Sequence, residues 1–368
     1  MKKWIALLLV FAMAISLCAC GGFTSGSKDD DDNEENEKEN DTLVTAYKLS
    51  GGTSISYDED GTVTETIVPT YNDQYQLVGI KTYCDDVLTR ELVFARYPDQ
   101  LQKMVSYDKD GKEEYRYEHT YDDNGNELSY YGYENGEQSW GYVCTYDADG
   151  NLLTQKNYEK GELSTEYTYT YNEKGLLEQE TQKWGETELR TSYTYDEQGN
   201  TLTVTSSAGD EIWSNDRYEN TYENGILVNV KVYNSEDQLQ ESTDYDADGN
   251  RILYVGYWHG EEYCREEATY DNDKLVKENS YNDGVLSYER TVTYNEAGKI
   301  LEEYVRYLGG DGSENKTVNT YNEQGLLTST KEYDDGKLTY ESTIEYEAVQ
   351  VTKEQAQTLN KINDYAGM

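Results

Sequence analysis

The sequence predicts an all-β protein, a repetitive array of antiparallel β-hairpins with a short capping helix at its C-terminal end. Three observations lead to this class. A tyrosine-led turn motif recurs along most of the chain. The segments between the turns alternate apolar and polar residues with a period of two. The chain contains 39 Tyr but only 3 Phe and 2 Pro, a composition that suits half-buried sheet faces.

Residues 1–19 have the pattern of a lipoprotein signal peptide. Lys2 and Lys3 precede an apolar run, 4–17, that is short for a membrane-spanning helix. The run leads into Leu-Cys-Ala-Cys-Gly-Gly, and residues 17–20 resemble the lipobox of bacterial lipoproteins. The resemblance implies cleavage before Cys20 and lipid on its thiol, which anchors a protein without spanning the membrane. An ordinary cleaved signal peptide followed by an unmodified Cys is the alternative.

Residues 20–43 are predicted to be the lipidated Cys and a flexible linker. Residues 21–42 are small, polar and strongly acidic, and they have no apolar period. Like charges repel one another, so we expect an extended spacer here. A functional acidic tail is the alternative. Because strings such as LCACGG are typical of Gram-positive lipoproteins, we expect the protein on the extracytoplasmic face of the cell membrane, at a Gram-positive cell surface.

The repeat domain is predicted to span 44–347. A Tyr-[Asp/Asn]-x-x-Gly motif, followed by Leu or Ile within three positions, recurs about every 25 residues. Its clearest copies begin at Tyr121, Tyr146, Tyr171, Tyr195, Tyr245, Tyr294 and Tyr321. A shorter Tyr-x-x-Gly motif lies between them and is clearest at Tyr133, Tyr158, Tyr281 and Tyr333. Each repeat therefore contains two turns and two strands, which predicts about 25 strands in all.

The two turns differ in length. The short turns contain Asn-Gly, Lys-Gly or Asp-Gly pairs, which are typical of two-residue type I′ hairpins. The long turns begin with Asp or Asn and have Gly in the fourth position, as at Asp147 and Gly150 and again at Asp246 and Gly249. This order is typical of a type I turn followed by a glycine bulge.

A calcium loop is the alternative interpretation of the Asp-x-Asp-Gly strings. Asn replaces the first Asp in other copies, and one such loop offers too few oxygen atoms for six to eight ligands. We therefore expect no cofactor, apart from weak, charge-driven Ca²⁺ binding along the sheet.

Residues 348–368 are predicted to form the capping helix, which is expected between 351 and 364. Thr352 and Gln355 have capping-box spacing. An apolar stripe follows at Ala356, Leu359 and Ile362. We expect this helix to cover the edge of the last strand, which otherwise invites edge-to-edge pairing. A frayed tail is the alternative. The whole array is expected to form a twisted, coiled extended sheet or a β-solenoid.

The segment TYDADGNLLTQKNYEKGELSTEYTYTYNEKGLL, residues 145–177, resembles the YD repeat of bacterial Rhs proteins and the teneurins. The resemblance covers most of residues 44–346. In that family the repeats build a spiralling β-sheet, often closed into a shell around a C-terminal toxin. This chain has too few repeats for a large shell. The resemblance therefore implies the sheet and a surface or secreted setting, not a specific activity.

Charge and residue types narrow the function. The formal net charge is −43, with 74 acidic residues against 31 basic ones, which disfavours nucleic acid as a partner. The two histidines, His119 and His259, lie far apart in the sequence, and nothing in the repeat brings them together. We expect no enzymatic activity. A hydrolase based on two carboxylates is the least favoured hypothesis, because acids are abundant everywhere in the chain.

Exposed aromatic side chains are the candidate binding residues. The four tryptophans of the repeat domain are Trp140, Trp184, Trp213 and Trp258. Each is alternatively a cross-strand ladder partner that stabilises the sheet. The sequence favours a membrane-anchored extracytoplasmic lipoprotein whose β-repeat surface binds a protein or glycan at the cell envelope. A structural spacer or shield at the cell surface is the alternative.

Overall fold

The computed structural model describes residues 43–58, 61–95, 101–309 and 312–366. The predicted signal peptide, the lipidated Cys20 and nearly all of the predicted linker lie outside the described residues. In the described part, the chain forms twenty-four β strands and one α helix. The predicted all-β class with a C-terminal helix is therefore confirmed.

The strands follow one another with short connections. The first twelve are β1 (Val44–Asp58), β2 (Gly61–Tyr71), β3 (Leu77–Cys84), β4 (Val87–Ala95), β5 (Lys103–Asp108), β6 (Glu113–Tyr121), β7 (Glu127–Glu134), β8 (Glu137–Tyr146), β9 (Leu152–Glu159), β10 (Glu162–Tyr171), β11 (Leu177–Trp184) and β12 (Thr187–Tyr195). The remaining elements are β13 (Thr201–Ala208), β14 (Glu211–Glu223), β15 (Ile226–Tyr233), β16 (Leu239–Tyr245), β17 (Arg251–Trp258), β18 (Glu261–Asp271), β19 (Lys274–Asn282), β20 (Val285–Tyr294), β21 (Ile300–Tyr307), β22 (Ser313–Tyr321), β23 (Leu327–Asp334), β24 (Lys337–Val351) and α1 (Lys353–Ala366).

The chain divides into two compact units. The terminal unit is drawn from Met1–Lys112, Asn319–Thr330 and Tyr340–Met368, and the central unit from Glu113–Val318 and Lys331–Thr339. Within the central unit, each strand from β6 to β21 pairs antiparallel with the next strand in the chain. Within the terminal unit, β1 to β5 pair in the same way.

The two end strands of the array pair with each other. In the terminal unit, β1 lies antiparallel to β24, from Val44 opposite Val351 to Ser56 opposite Tyr340. Each strand thereby satisfies the N–H and C=O groups that a free edge would leave unpaired. The prediction of a twisted, coiled extended sheet or a β-solenoid is therefore wrong. Consecutive strands form antiparallel hairpins, and the meander has no open end at β1 or β24.

Helix α1 is present, but it does not cover a strand edge as predicted. Its capping box has formed: Thr352 N–H donates to Gln355 Oε1 at 3.0 Å, and Gln355 N–H donates to Thr352 Oγ1 at 3.3 Å. Ile362 is fully buried against the inward-facing side chains of β3 and β4, and Leu359 against Ala46 and Val351. The helix therefore covers a sheet face, because pairing with β1 already protects the edge of β24.

The backbone supports the predicted difference between the two turns. At β11–β12 and β13–β14 only the first central residue, Gly185 or Gly209, has a positive φ angle. In the other two-residue turns that the structure describes both central residues do, for example 51° at Asn135 and 85° at Gly136. A type I′ turn requires this conformation, which Asn and Gly adopt at low cost. No helix in the described residues is both long and apolar enough to cross a membrane.

Several motif tyrosines link their repeat to the one before it. The hydroxyl of Tyr171 donates to the carbonyl oxygen of Leu152 at 2.8 Å, nineteen residues earlier. Tyr146 and Tyr294 make the same bond to Glu127 and Leu275, at 2.9 and 2.8 Å. Phe supplies the same ring without the hydroxyl. These bonds give a physical reason for the excess of Tyr over Phe in the repeats.

Replacing Tyr171 by Phe tests this role. The substitution removes one hydrogen bond and leaves the carbonyl oxygen of Leu152 without its tyrosine partner. We expect the free energy of unfolding to fall by about 1 kcal/mol. Denaturant unfolding followed by circular dichroism measures the change. Tyr115 is 43% exposed at the start of β6. Its replacement by Phe is a matched control, and an equal loss in both variants would argue against the link between repeats.

Candidate functional site

Most two-residue turns of the central unit lie at one end of its sheet, and we call this end the hairpin rim. It comprises the connections β7–β8, β9–β10, β11–β12, β13–β14, β15–β16, β17–β18, β19–β20 and β21–β22, together with the adjoining strand residues. Strand direction alternates in an antiparallel meander, so every second connection returns to the same end. Most of the long motif turns lie at the opposite end. Two-residue turns also occur there, at β14–β15 and β18–β19, and the β15–β16 and β21–β22 connections of the rim are longer. The two ends of the sheet therefore carry different sequence patterns.

Large apolar side chains are exposed along the hairpin rim. Trp258 is 66% exposed, Trp213 is 58% exposed and Val285 is 68% exposed. Other exposed rim residues are Trp140, Leu163, Trp184, Ile212, Tyr263, Tyr307 and Leu308. At the opposite end the exposed residues are Leu153, Leu202, Ile226, Ile252 and Leu301, each at most 42% exposed. The rim is therefore the more apolar end of the central unit.

The four candidate tryptophans all lie toward the rim but have different surroundings. The indole of Trp140 lies over Gly132, where an added Cβ would come within 2.8 Å of its nitrogen. The same indole packs edge-on against Tyr130, with 4.6 Å between ring centroids. Trp140 is thus a cross-strand ladder partner that remains partly exposed. Trp258 packs edge-on against the ring of His259 in the adjoining turn, with 4.8 Å between ring centroids.

The rim is also acidic. Exposed acids occupy the tips of its hairpins and the strand positions next to them, among them Glu134, Glu137, Glu159, Glu162, Glu186, Asp210, Glu211, Glu261 and Asp283. Acids farther along the strands have basic partners, as in Lys156–Glu166 at 3.2 Å and Arg290–Glu303 at 2.7 Å. The strand charges are therefore partly neutralised, whereas the hairpin tips present negative charge to solvent.

A shallow depression lies at the rim between the β21–β22 connection and the β23–β24 turn. Its volume is about 430 Å³, and its lining residues are Arg306, Tyr307, Leu308, Gly312, Ser313, Glu314 and Asp335. The N–H of Glu314 donates to Asp335 Oδ1 at 2.9 Å. Arg306 Nη2 lies 2.7 Å from a carboxylate oxygen of Glu289. The depression thus combines two carboxylates with the half-exposed ring of Tyr307.

A buried polar network lies on β6, β7 and β8. His119 is 8% exposed, and its Nδ1 contacts one carboxylate oxygen of Glu127. The hydroxyl of Tyr142 donates to the other oxygen of the same carboxylate. Burial, followed by this bond to Glu127, raises the pKa of Tyr142 well above its usual range. His119 Nε2 is buried without a hydrogen-bond partner and lies beside the ring of Tyr130.

This network was not predicted, although the repeats contain a signal for it. His119 stands two residues before a motif tyrosine, where Cys144 and Val292 are buried in other repeats. Glu127 stands six residues after the same tyrosine, where other repeats have Leu152 or Leu177. Two polar residues thus occupy positions that are often apolar. Comparing repeats position by position identifies such a pair as a buried polar contact.

The long turns are held by their first residue. Asp147 Oδ1 accepts hydrogen bonds from the N–H groups of Asp149 and Asn151, and Oδ2 accepts from the Asn151 amide at 2.9 Å. The bond from the Asn151 side chain is the main cause that lowers the pKa of Asp147. Asp246 makes the same contacts, and its pKa is lowered in the same way.

Glycine completes these long turns. Gly150 and Gly249 have φ angles of 86° and 87°, which glycine adopts at no steric cost. The Asp147 and Asp246 carboxylates are thus engaged within their own turns. Among the described residues, no group of three or more His, Cys, Asp or Glu side chains is placed to hold a metal ion.

The chain matches no family model and no curated protein. Among solved structures it is similar to a crystal structure of TcdB2-TccC3-TEV, with a TM-score of 0.36 and 18% identity over 85% of this chain. It is also similar to the Photorhabdus luminescens Tc holotoxin pore, with a TM-score of 0.31 and 15% identity over 77% of this chain. This chain spans 17% of each of those chains.

A porin-like protein from Bacteroides uniformis is a further structural neighbour. The TM-score is 0.25 and the identity 12%, over 81% of this chain and 98% of that chain. The strand pairing of this chain establishes its β-rich repeat fold by itself.

Proposed function

We propose that this chain is a membrane-anchored extracytoplasmic lipoprotein whose hairpin rim binds a protein or glycan at the cell envelope, without catalysis. The concentration of exposed aromatic and aliphatic side chains at the rim is the observation that supports this most directly. Large exposed apolar patches are uncommon on monomeric soluble proteins and mark interaction sites. A spacer or shield has no need of them.

Features of the sequence support the setting of this proposal. The lipobox-like residues 17–20 and the acidic linker that follows suit a tethered protein. The resemblance to YD repeats of the Rhs and teneurin type implies a surface or secreted setting. We place the protein on a Gram-positive cell surface because strings such as LCACGG are typical of Gram-positive lipoproteins. A non-catalytic role is supported by His119, whose free ring nitrogen is inaccessible.

Replacing Trp213 and Trp258 by Ser tests the binding role. These two exposed indoles offer large contact area on the rim, so we expect their joint loss to weaken binding at least tenfold. A glycan array and a pull-down from envelope fractions identify the ligand, and titration calorimetry then measures its dissociation constant. Leu202→Ser with Ile252→Ser, at the opposite end, is the matched control. Finding no ligand across broad panels would favour the spacer hypothesis.

Replacing Cys20 by Ala tests the anchor. The Cys20 thiol is the only group of the lipobox that is expected to accept the lipid. We therefore expect the variant in the soluble fraction and not in the membrane fraction. Immunoblotting of membrane and soluble fractions measures the distribution. Cys18→Ala is the matched control because it removes a thiol but keeps Cys20. A Cys20→Ala protein that stays bound to the membrane would show that the lipobox prediction is wrong.

A further inference from the structure

We infer that the partner of the hairpin rim is a basic, amphipathic polypeptide segment, one of whose Lys or Arg side chains enters the depression beside Tyr307. The inference rests on the proposed binding function and narrows it to one class of partner. It combines the charge of the rim, its exposed apolar side chains and the contents of the depression.

The charge of the rim favours a basic partner. At least nine exposed carboxylates stand at its hairpin tips and at the strand positions next to them. Lys160 and Lys337 are the exposed lysines within the two-residue turns or directly after them. A surface with this surplus attracts cations and repels anionic surfaces, including anionic lipid. A neutral glycan draws no benefit from that charge.

The apolar side chains favour an amphipathic partner. Ile212, Trp213, Trp258, Val285 and Leu308 stand between the acidic tips and are all exposed. A segment that alternates basic and apolar residues covers both kinds of group at once. Contacts between apolar residues supply affinity, and the charges supply orientation and rate of association.

The depression provides a place for one basic side chain. Asp335 lines the depression, and its Oδ1 accepts the N–H of Glu314. Glu314, whose side chain is hydrogen-bonded to Tyr304, and the half-exposed Tyr307 lie in the same lining. A cation over an aromatic ring and next to carboxylates gains from both interactions. Arg306, the cation of the lining, is already paired with Glu289.

The experiment uses the full-length chain in neutral detergent and three defined probes. The first is a synthetic amphipathic peptide of Lys and Leu, the second is the same peptide with Glu in place of Lys, and the third is a set of neutral oligosaccharides. Tryptophan fluorescence reports binding. We expect the Lys peptide alone to bind, and we expect its affinity to fall about tenfold between low and high salt.

Paired variants separate the depression from bulk charge. Glu314→Gln with Asp335→Asn should weaken binding of the Lys peptide about fivefold, and Asn suits the positive φ of 48° at position 335. Asp149→Asn with Asp248→Asn removes the same charge from exposed turn positions at the opposite end. This control should change the affinity less than about twofold. Equal losses in the two variants would overturn the inference.

The remaining outcomes distinguish this inference from the proposed function. Salt-independent binding of an oligosaccharide that depends on Trp213 and Trp258 would overturn the inference and support the proposed function. Binding of the Glu peptide as tightly as the Lys peptide would overturn it as well. If no probe binds, the inference fails, and the envelope pull-down with the tryptophan variants then decides the proposed function.

Discussion

Replacing Ile362 by Ala is expected to lower the free energy of unfolding by about 2–5 kcal/mol. Ile362 is fully buried in a cluster with Leu77, Ile80, Leu92 and Phe94. Removing three carbon atoms there loses their burial and leaves a cavity that neighbouring strands fill only in part. Few residues in the described part of the chain are so completely buried, so the loss should be large for a single substitution.

Denaturant unfolding followed by circular dichroism measures this loss. Asn360→Ala is the matched control, because Asn360 is exposed on the same helix. It should change the free energy of unfolding by less than about 0.5 kcal/mol. If the two variants are equally stable, helix α1 does not pack on the sheet as described.

The helix also shows how far the sequence predicts the fold. Its start depends on Thr352 and Gln355, which are three residues apart, so the sequence predicts it correctly. Its contacts with β3 and β4 join residues almost 300 positions apart. The short sequence repeat carries no information about contacts between such distant residues. The pairing of β1 with β24 has the same character. A repeat predicts the same hairpins whether its end strands are free or paired.

In the candidate site, too, the sequence predicts some features and not others. The position of Trp258 next to a short turn predicts exposure, because turn tips face solvent. Trp140 has the same side chain, but Gly132 on the facing strand lets its indole lie flat across the sheet. The register between the two strands decides such a contact. The register depends in turn on β-bulges, which the sequence motif does not specify.

The second large effect is expected from Glu127→Ala. The substitution leaves His119 Nδ1 and the hydroxyl of Tyr142 without their shared carboxylate. Both are largely buried, so we expect the free energy of unfolding to fall by about 2–4 kcal/mol. The same denaturant titration measures it. Glu134→Ala, at an exposed tip of the same strand, is the control and should be close to neutral.

A triple variant separates two contributions to the free energy of unfolding. One is the penalty for leaving buried polar groups unpaired, and the other is the stabilisation that the intact polar network provides. His119→Val and Glu127→Leu insert residue types that other repeats have at these positions, and Tyr142→Phe removes the remaining hydroxyl. Replacing all partners by apolar groups of similar shape is nearly neutral in many proteins. We therefore expect the triple variant to unfold within about 1 kcal/mol of the natural chain. If the triple variant is as unstable as Glu127→Ala, the polar network itself stabilises this part of the sheet. The apolar residues of the other repeats then do not replace it.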